Sequence, residues 1–416
     1  MAKMADGFKT IRLAELVLSG NYDPDAHEKE FRYFNWQDFT DEEFHLCPPV
    51  VAVGGDGAMY DIGFQNLSRA MMSGKPVKVL VVDTQVYSNT GGQACTSGFF
   101  GQISDMAQFG DAIKGKEEMR KEIGLIAMAH RTTYFMQSTM AYSNHMIEGF
   151  VEGLMSRRPA LFNLYTSCQP EHGIGDDMGH HQAKLAVESR AYPLFRYNPD
   201  LGPTVADCID LEGNPAIHQD WFVSKIEYLD RGQPREMELS TTFVDFAVTE
   251  TRFRKHFRKV PRDAWHEDMI VVSEYLELAD DEREDKLPYV WALDANRELS
   301  RLLVDDAMVQ SAEERRDFWV MLRALAKAED VASTGDEQLE SRVRQEVVQK
   351  IASGLMGLVA GESSLDISAV LESSAAPKEV ATDAASESQA TAEVTDGYMA
   401  PWIDTEECTA CDECII

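Results

Sequence analysis

Val50-Val51-Ala52-Val53-Gly54-Gly55-Asp56-Gly57 is a short β-branched run that ends in a glycine turn, and it decides the fold. A helical pattern follows over 62–72, and Ser73-Gly74-Lys75-Pro76 stops it, because proline lacks the amide a helix needs. A second β-branched run, 77–82, then ends at Asp83-Thr84. Strand, turn, helix, turn, strand is a βαβ unit, and its crossover makes the two strands parallel. Residues 123–128 and 160–165 read as further buried strands, with a helix over 137–154 between them. The repetition predicts an α/β, doubly wound, mainly parallel sheet over residues 45–200, with helices on both faces.

Outward from that domain the texture changes twice. Residues 1–44 are mixed and polar, with aromatic points at Phe31, Tyr33, Phe34, Trp36 and Phe39, and read as a covering segment. Residues 201–360 read as a mainly helical extension, with helical patterns over 241–259, 294–307, 312–328 and 339–359. Residues 361–396 hold few large apolar side chains, so burial there does not offset the entropy of ordering. They are expected to be a disordered acidic linker: 361–416 contains 13 acidic residues against one basic residue, Lys378. Ordered texture resumes over 397–416.

The full chain of 416 residues carries 39 basic and 71 acidic side chains, a formal charge of −32. That balance argues against nucleic-acid binding, which needs cations to neutralise phosphates. No apolar run approaches the roughly 20 residues of a membrane span, and the first eleven residues lack the apolar core of a signal peptide. The expectation is a cytoplasmic protein without a membrane or nucleic-acid partner.

The chemistry concentrates at the two strand ends. Glycines let a backbone approach a phosphate, and a helix start favours negative charge. Asp56 sits inside that turn, where a carboxylate beside a diphosphate is repelled unless a divalent cation lies between them. Mg²⁺ binds oxygens, commonly one or two from protein and the others from phosphate and water. Asp56 and Thr84 end neighbouring strands on one edge of a parallel sheet, which is where ligands bind.

Gly55-Asp56-Gly57, a spacer of 25 residues, and Asp83-Thr84-Gln85-Val86-Tyr87-Ser88-Asn89-Thr90-Gly91-Gly92-Gln93 together resemble the thiamine diphosphate-binding domain of the pyruvate:ferredoxin/flavodoxin oxidoreductases, in the 2-oxoacid:acceptor oxidoreductase family. The likeness is close over 45–200, including Leu194-Phe195-Arg196-Tyr197-Asn198-Pro199, and looser over 240–330. Other thiamine enzymes place a paired-Asn segment where this chain has Asp83-Thr84. The resemblance implies that Asp56, the Thr84 hydroxyl and the Val86 carbonyl hold Mg²⁺. It implies that Gly55, Gly57 and Ala58 line the diphosphate, that Gln85, Tyr87 and Ser88 belong to the cofactor-binding loop, and that Asn89 is the catalytic residue facing the reacting centre. It also implies a parent enzyme that converts pyruvate and coenzyme A to acetyl-CoA and CO₂, passing electrons through 4Fe-4S clusters to ferredoxin or flavodoxin. The glutamate that activates thiamine comes from a second domain in this family, and no copy of that domain is found in this chain. The remaining domains of the same enzyme are therefore expected partners, in a homodimer, and this chain is expected to be an inactive fragment by itself.

Seven cysteines, at 47, 95, 168, 208, 408, 411 and 414, are too scattered for a secreted disulfide framework. By resemblance Cys168, after a strand end, supplies the fourth thiolate of a 4Fe-4S cluster; a buried inert thiol is the other reading. Cys408, Cys411 and Cys414 have the C-x₂-C-x₂-C spacing of a bacterial ferredoxin run without its fourth cysteine, so 397–416 reads as the start of a truncated 4Fe-4S module, with a zinc site or chance tail as alternatives. Cys47, Cys95 and Cys208 read as structural. The basic stretch 252–259 reads as a solvated helix face or a docking surface. His172, His180 and His181 read as hydrogen-bonding residues, and Glu148 and Glu152 as surface carboxylates. Two rival functions stay open: a non-oxidative thiamine diphosphate-dependent decarboxylase, and a non-catalytic subunit that keeps the fold.

Overall fold

The two β-branched runs flanking the glycine turn pair as parallel strands in the computed structural model, which describes residues 2–294 and 296–327. Strands β1 (Val50–Gly55) and β2 (Val77–Asp83) run in register from Val50↔Val77 to Gly55↔Val82, so Asp56 and Thr84 emerge side by side. Strands β3 (Tyr134–Thr139) and β4 (Ala160–Tyr165) continue the parallel sheet. Strands β5 (Phe195–Tyr197) and β6 (Ile209–Asp210) close it antiparallel. The order is β1-β2-β4-β3-β5-β6. The helix Ser143–Met155 packs Phe150 and Leu154 on Tyr134, Met136 and Phe162.

The mainly parallel α/β sheet follows the expectation, with three local differences. Residues 123–128 lie in a helix, Ile123–Ala129, that buries Ile123, Gly124 and Ala127 on one side. A short apolar run carries no period that separates a strand from a helix. The reverse holds at Gln137: it belongs to strand β3, every residue of which is buried. Its polar groups are satisfied inside, Gln137 Nε2 donating to the Pro193 carbonyl at 2.9 Å and its Oε1 accepting from Asn163 at 3.2 Å. Third, edge strand β1 is exposed along most of its length, with Val50, Val51 and Val53 at 61, 45 and 65 %.

As far as residue 327, the described part of the extension is mixed rather than mainly helical. A hairpin, β7 (Phe222–Asp230) and β8 (Gln233–Thr241), precedes a four-stranded sheet of order β10-β11-β12-β9, made of β9 (Phe257–Val260), β10 (Met269–Val271), β11 (Leu287–Leu293) and β12 (Leu299–Val304). The expected helix over 241–259 is a short helix, Phe243–Ala247, a 3₁₀ segment, Thr251–His256, and then β9. Within the expected helix over 294–307, Leu299–Val304 form β12, and a helix begins only at Asp306. Antiparallel pairing of β12 with β11 and β9 outweighs the local helical pattern. The expected helix over 312–328 exists as Asp306–Leu325. Its Ser311 hydroxyl donates to the Phe100 carbonyl at 2.8 Å, and its Trp319 indole to the Gln219 carbonyl at 2.9 Å.

The basic stretch is not a solvated helix face. Arg252 and His256 are buried, Arg252 against Glu250, and His256 between Asp305 and the Gly101 carbonyl. The N-terminal segment has its own small core of Ala5, Phe39, Phe44 and Cys47, and Arg157 ties it to the sheet domain through the Phe39 carbonyl and Asp41. No described helix is long and apolar enough to cross a membrane. The helix expected over 339–359, the linker 361–396 and the tail with Cys408, Cys411 and Cys414 lie outside the described residues.

Candidate functional site

The tips of β1 and β2 bring three oxygens together. Thr84 Oγ1 lies 3.3 Å from Asp56 Oδ1 and 3.1 Å from the Val86 carbonyl oxygen. The Ser88 hydroxyl donates to Thr84 Oγ1 at 2.8 Å. Asp56 Oδ2 accepts from the Val86 amide at 3.0 Å and from the Ser97 hydroxyl at 2.7 Å. Asp56 is 3 % exposed, and no cationic side chain is among these partners. Burial, and then the neighbouring Asp83 carboxylate, push its carboxyl up to about 6, against the hydrogen bonds from Ser97, Gly57 and Val86. A buried carboxylate held only by neutral donors, facing a hydroxyl and a carbonyl, is a hard-oxygen set of the kind Mg²⁺ uses.

The chain turns sharply between two of those oxygens. Gln85 has φ +57°, in the left-handed region, a cost on the order of 1–2 kcal/mol for a side-chain-bearing residue. Gln85 is wholly buried, so its side chain shapes the turn instead of lining an open site. Tyr87 swings its ring against Gly57, where a Cβ would lie 2.4 Å from the ring. A side chain at 57 would therefore have to displace the Tyr87 ring, a reason for glycine separate from phosphate approach. Beyond Tyr87, the segment Ser88–Thr90 is a 3₁₀ turn on which Asn89 stands exposed. Gly92, at φ +90°, passes so close to Glu171 that a Cβ would meet its carboxylate at 2.2 Å. Gly55 and Ala58 are also exposed, so the backbone of the glycine turn is open to a ligand.

Beneath the turn lies a charge pair that the sequence reading missed. Asp83 is wholly buried and ion-paired with Arg120. It also accepts from Tyr60 and Tyr192 at 3.1 and 3.2 Å. Arg120 donates to the Ser97 carbonyl, so the residue that holds Asp83 also fixes the segment that holds Asp56. A second group reaches the turn from the other side. His172 Nε2 lies 2.9 Å from the Thr84 carbonyl oxygen, and Nδ1 3.3 Å from Glu250. Burial works to raise the Glu250 carboxyl, but Arg252 and His172 hold it down at about 2. Except for Arg252, two residues from Glu250, each of these partners is remote in sequence from what it touches, and no local motif announces them.

Cys168 starts the short helix Gln169–His172, three residues after β4 ends beside the tip of β2. It is a partly exposed free thiol, and the helix it begins carries His172 to the Thr84 carbonyl and Glu171 to Gly92. Cys95 lies closer to Asp56 than its sequence context suggests: the Ser97 hydroxyl that bonds Asp56 also lies 3.1 Å from Cys95 Sγ. Burial and Asp56 push the Cys95 thiol up to about 12, so it stays protonated. Among the described residues no group of three or more His, Cys, Asp or Glu side chains is placed to hold a metal.

Residues 45–164 match the family described as thiamine pyrophosphate enzyme, C-terminal TPP binding domain. A pyruvate:ferredoxin oxidoreductase of Moorella thermoacetica is 36% identical over 179 residues, covering 42% of this chain and 15% of that protein. Pyruvate-flavodoxin oxidoreductases of Trichormus variabilis and Klebsiella pneumoniae are 37% and 32% identical over 153 and 211 residues, covering 36% and 50% of this chain and 12% and 16% of theirs. This chain thus spans about a sixth or less of the length of these curated relatives. A solved 2-oxoglutarate:ferredoxin oxidoreductase of Magnetococcus marinus aligns at 19% identity over 29% of this chain and 40% of that one, with a TM-score of 0.27, too slight a likeness to argue from. The βαβ unit, the Gly-Asp-Gly turn and the matched segment coincide, so residues 45–164 are similar to the C-terminal TPP-binding domains of the thiamine pyrophosphate enzymes, and the chain is akin to one part of the pyruvate:ferredoxin and pyruvate-flavodoxin oxidoreductases.

Proposed function

We propose that this chain supplies the diphosphate-and-metal half of a thiamine diphosphate site in an enzyme that oxidatively decarboxylates pyruvate with coenzyme A and reduces ferredoxin or flavodoxin. The observation that carries the reading is the convergence of Asp56 Oδ1, Thr84 Oγ1 and the Val86 carbonyl at two adjacent strand tips. Asp56, Thr84 and Val86 would hold Mg²⁺, and the exposed backbone of Gly55 and Ala58 would take the diphosphate oxygens, with Gly57 buried between them under the Tyr87 ring. When bound, thiamine diphosphate supplies carbanion stabilisation at the substrate carbonyl carbon. This chain's part is to bind and orient: Asp56 and Thr84 anchor the charged end, and Asn89 stands on the exposed turn toward the reacting end. Cys168, beside the same turn, would donate one thiolate to a 4Fe-4S cluster whose other ligands come from companion domains. Those domains would also bring the activating glutamate, in a homodimeric, cytoplasmic enzyme. A module beginning at 397–416 would carry Cys408, Cys411 and Cys414 toward a further cluster.

The test is quenching of protein fluorescence by thiamine diphosphate in the presence and absence of Mg²⁺. Quenching should require Mg²⁺ and vanish in Asp56→Ala. Metal-independent quenching, or an unaffected Asp56→Ala, would remove the basis of the proposal. The purified chain alone should reduce no dye with pyruvate.

A further inference from the structure

Gln85 lies between two of the three converging oxygens, and its left-handed φ sets their directions. Such a dihedral persists only where the surroundings over-determine it. The Gln85 amide donates to Asp83 Oδ1 at 3.2 Å, and its side-chain nitrogen donates to the Asp83 carbonyl at 2.9 Å. Its carbonyl accepts from Gln102 Nε2 at 2.8 Å. Its side-chain oxygen accepts from Arg252 Nη2 at 3.0 Å. The same guanidinium reaches the Thr84 carbonyl at 3.4 Å through Nη1 and is anchored on Glu250 through Nε. Arg252 therefore holds the Thr84 carbonyl and the Gln85 side chain at once, from a position outside the matched 45–164 segment.

We propose that Arg252, anchored on Glu250, is a positioning residue: it locks Gln85 in its left-handed turn and so aims the Thr84 hydroxyl and the Val86 carbonyl at the point where Asp56 meets the cation. The proposal rests on the reading of Asp56, Thr84 and Val86 as a Mg²⁺ site. The guanidinium reaches Glu250, the Thr84 carbonyl and Gln85 through three different nitrogens held in one plane, a spread that the single nitrogen of a lysine ammonium does not reproduce.

The experiment titrates MgCl₂ into the full chain with thiamine diphosphate, following fluorescence quenching, for wild type, Arg252→Lys, Gln85→Ala and Gln85→Gly. Arg252→Lys and Gln85→Ala should raise the Mg²⁺ midpoint about tenfold, as loss of an outer partner does at metal sites, with the plateau retained. Gln85→Gly loses the Arg252 contact but adopts φ +57° freely, so its midpoint should rise less than that of Gln85→Ala. A role in folding alone would lower the plateau and leave the midpoint in place, and that result overturns the proposal. Equal shifts for Gln85→Gly and Gln85→Ala overturn the argument from the turn. Should Arg252→Lys not fold, as judged by near-UV circular dichroism, the two Gln85 variants decide. A wild type with no Mg²⁺-dependent response defeats the metal-site reading itself and this proposal with it, whereas a responsive wild type with unmoved variants defeats this proposal alone.

Discussion

Two carboxylates end neighbouring strands, and the protein treats them in opposite ways. At the tip of β2, Asp83 is neutralised by Arg120 and hydrogen-bonded by Tyr60 and Tyr192. At the tip of β1, Asp56 has a hydroxyl and backbone amides and no cation, and burial pushes its carboxyl up to about 6. Both are buried, so the contrast comes from partners and not from depth. A carboxylate with its countercharge built in is a structural brace. One held by neutral donors is ready for a countercharge that arrives from outside.

The largest expected effect comes from breaking the brace. Arg120→Met leaves Asp83 buried and unpaired and should cost about 3–5 kcal/mol, read as a lower urea midpoint or an insoluble chain. A change below 1 kcal/mol would mean that Asp83 does not depend on Arg120.

The opposite sign is expected at β1. The folded-state value of Asp56, about 6, lies above its ordinary 3.8, so folding takes up a proton between those values. The stability linked to this group is fully present below pH 3.8 and is lost as pH rises through 6. In the metal-free chain that loss amounts to roughly 3 kcal/mol by pH 7. Asp56→Asn should therefore raise the stability of the metal-free chain at pH 7 by 1–3 kcal/mol, on the order expected from that shift. Paired urea unfolding at pH 5 and pH 7 checks it: wild type should weaken across the interval more than the variant. A destabilised Asp56→Asn at pH 7 would place Asp56 with Asp83 among the braces.

The smallest effect tests how evenly the brace is shared. Tyr192→Phe removes one neutral donor to Asp83 and leaves Arg120 and Tyr60, and should cost about 1 kcal/mol by thermal or urea unfolding. A loss equal to that of Arg120→Met would show that the tyrosine hydroxyls, and not the charge, carry Asp83.

Sequence alone was enough for whatever depends on neighbours along the chain. The β-branched runs at β1 and β2, the Gly-Asp-Gly turn and the Asp83–Gln93 loop are local patterns, and a βαβ crossover permits one parallel arrangement of them. That arrangement by itself puts Asp56 beside Thr84. Local patterns misled where burial overrode them, as at the polar second half of strand β3, the apolar helix Ile123–Ala129 and the strands of the extension. Tertiary structure alone decided who surrounds the turn: Arg120 lies 37 residues from Asp83, His172 88 residues from Thr84, and Arg252 167 residues from Gln85. Contacts at such separations come from the packing of whole elements, and a single hydrogen-bond partner leaves no periodic trace in the sequence.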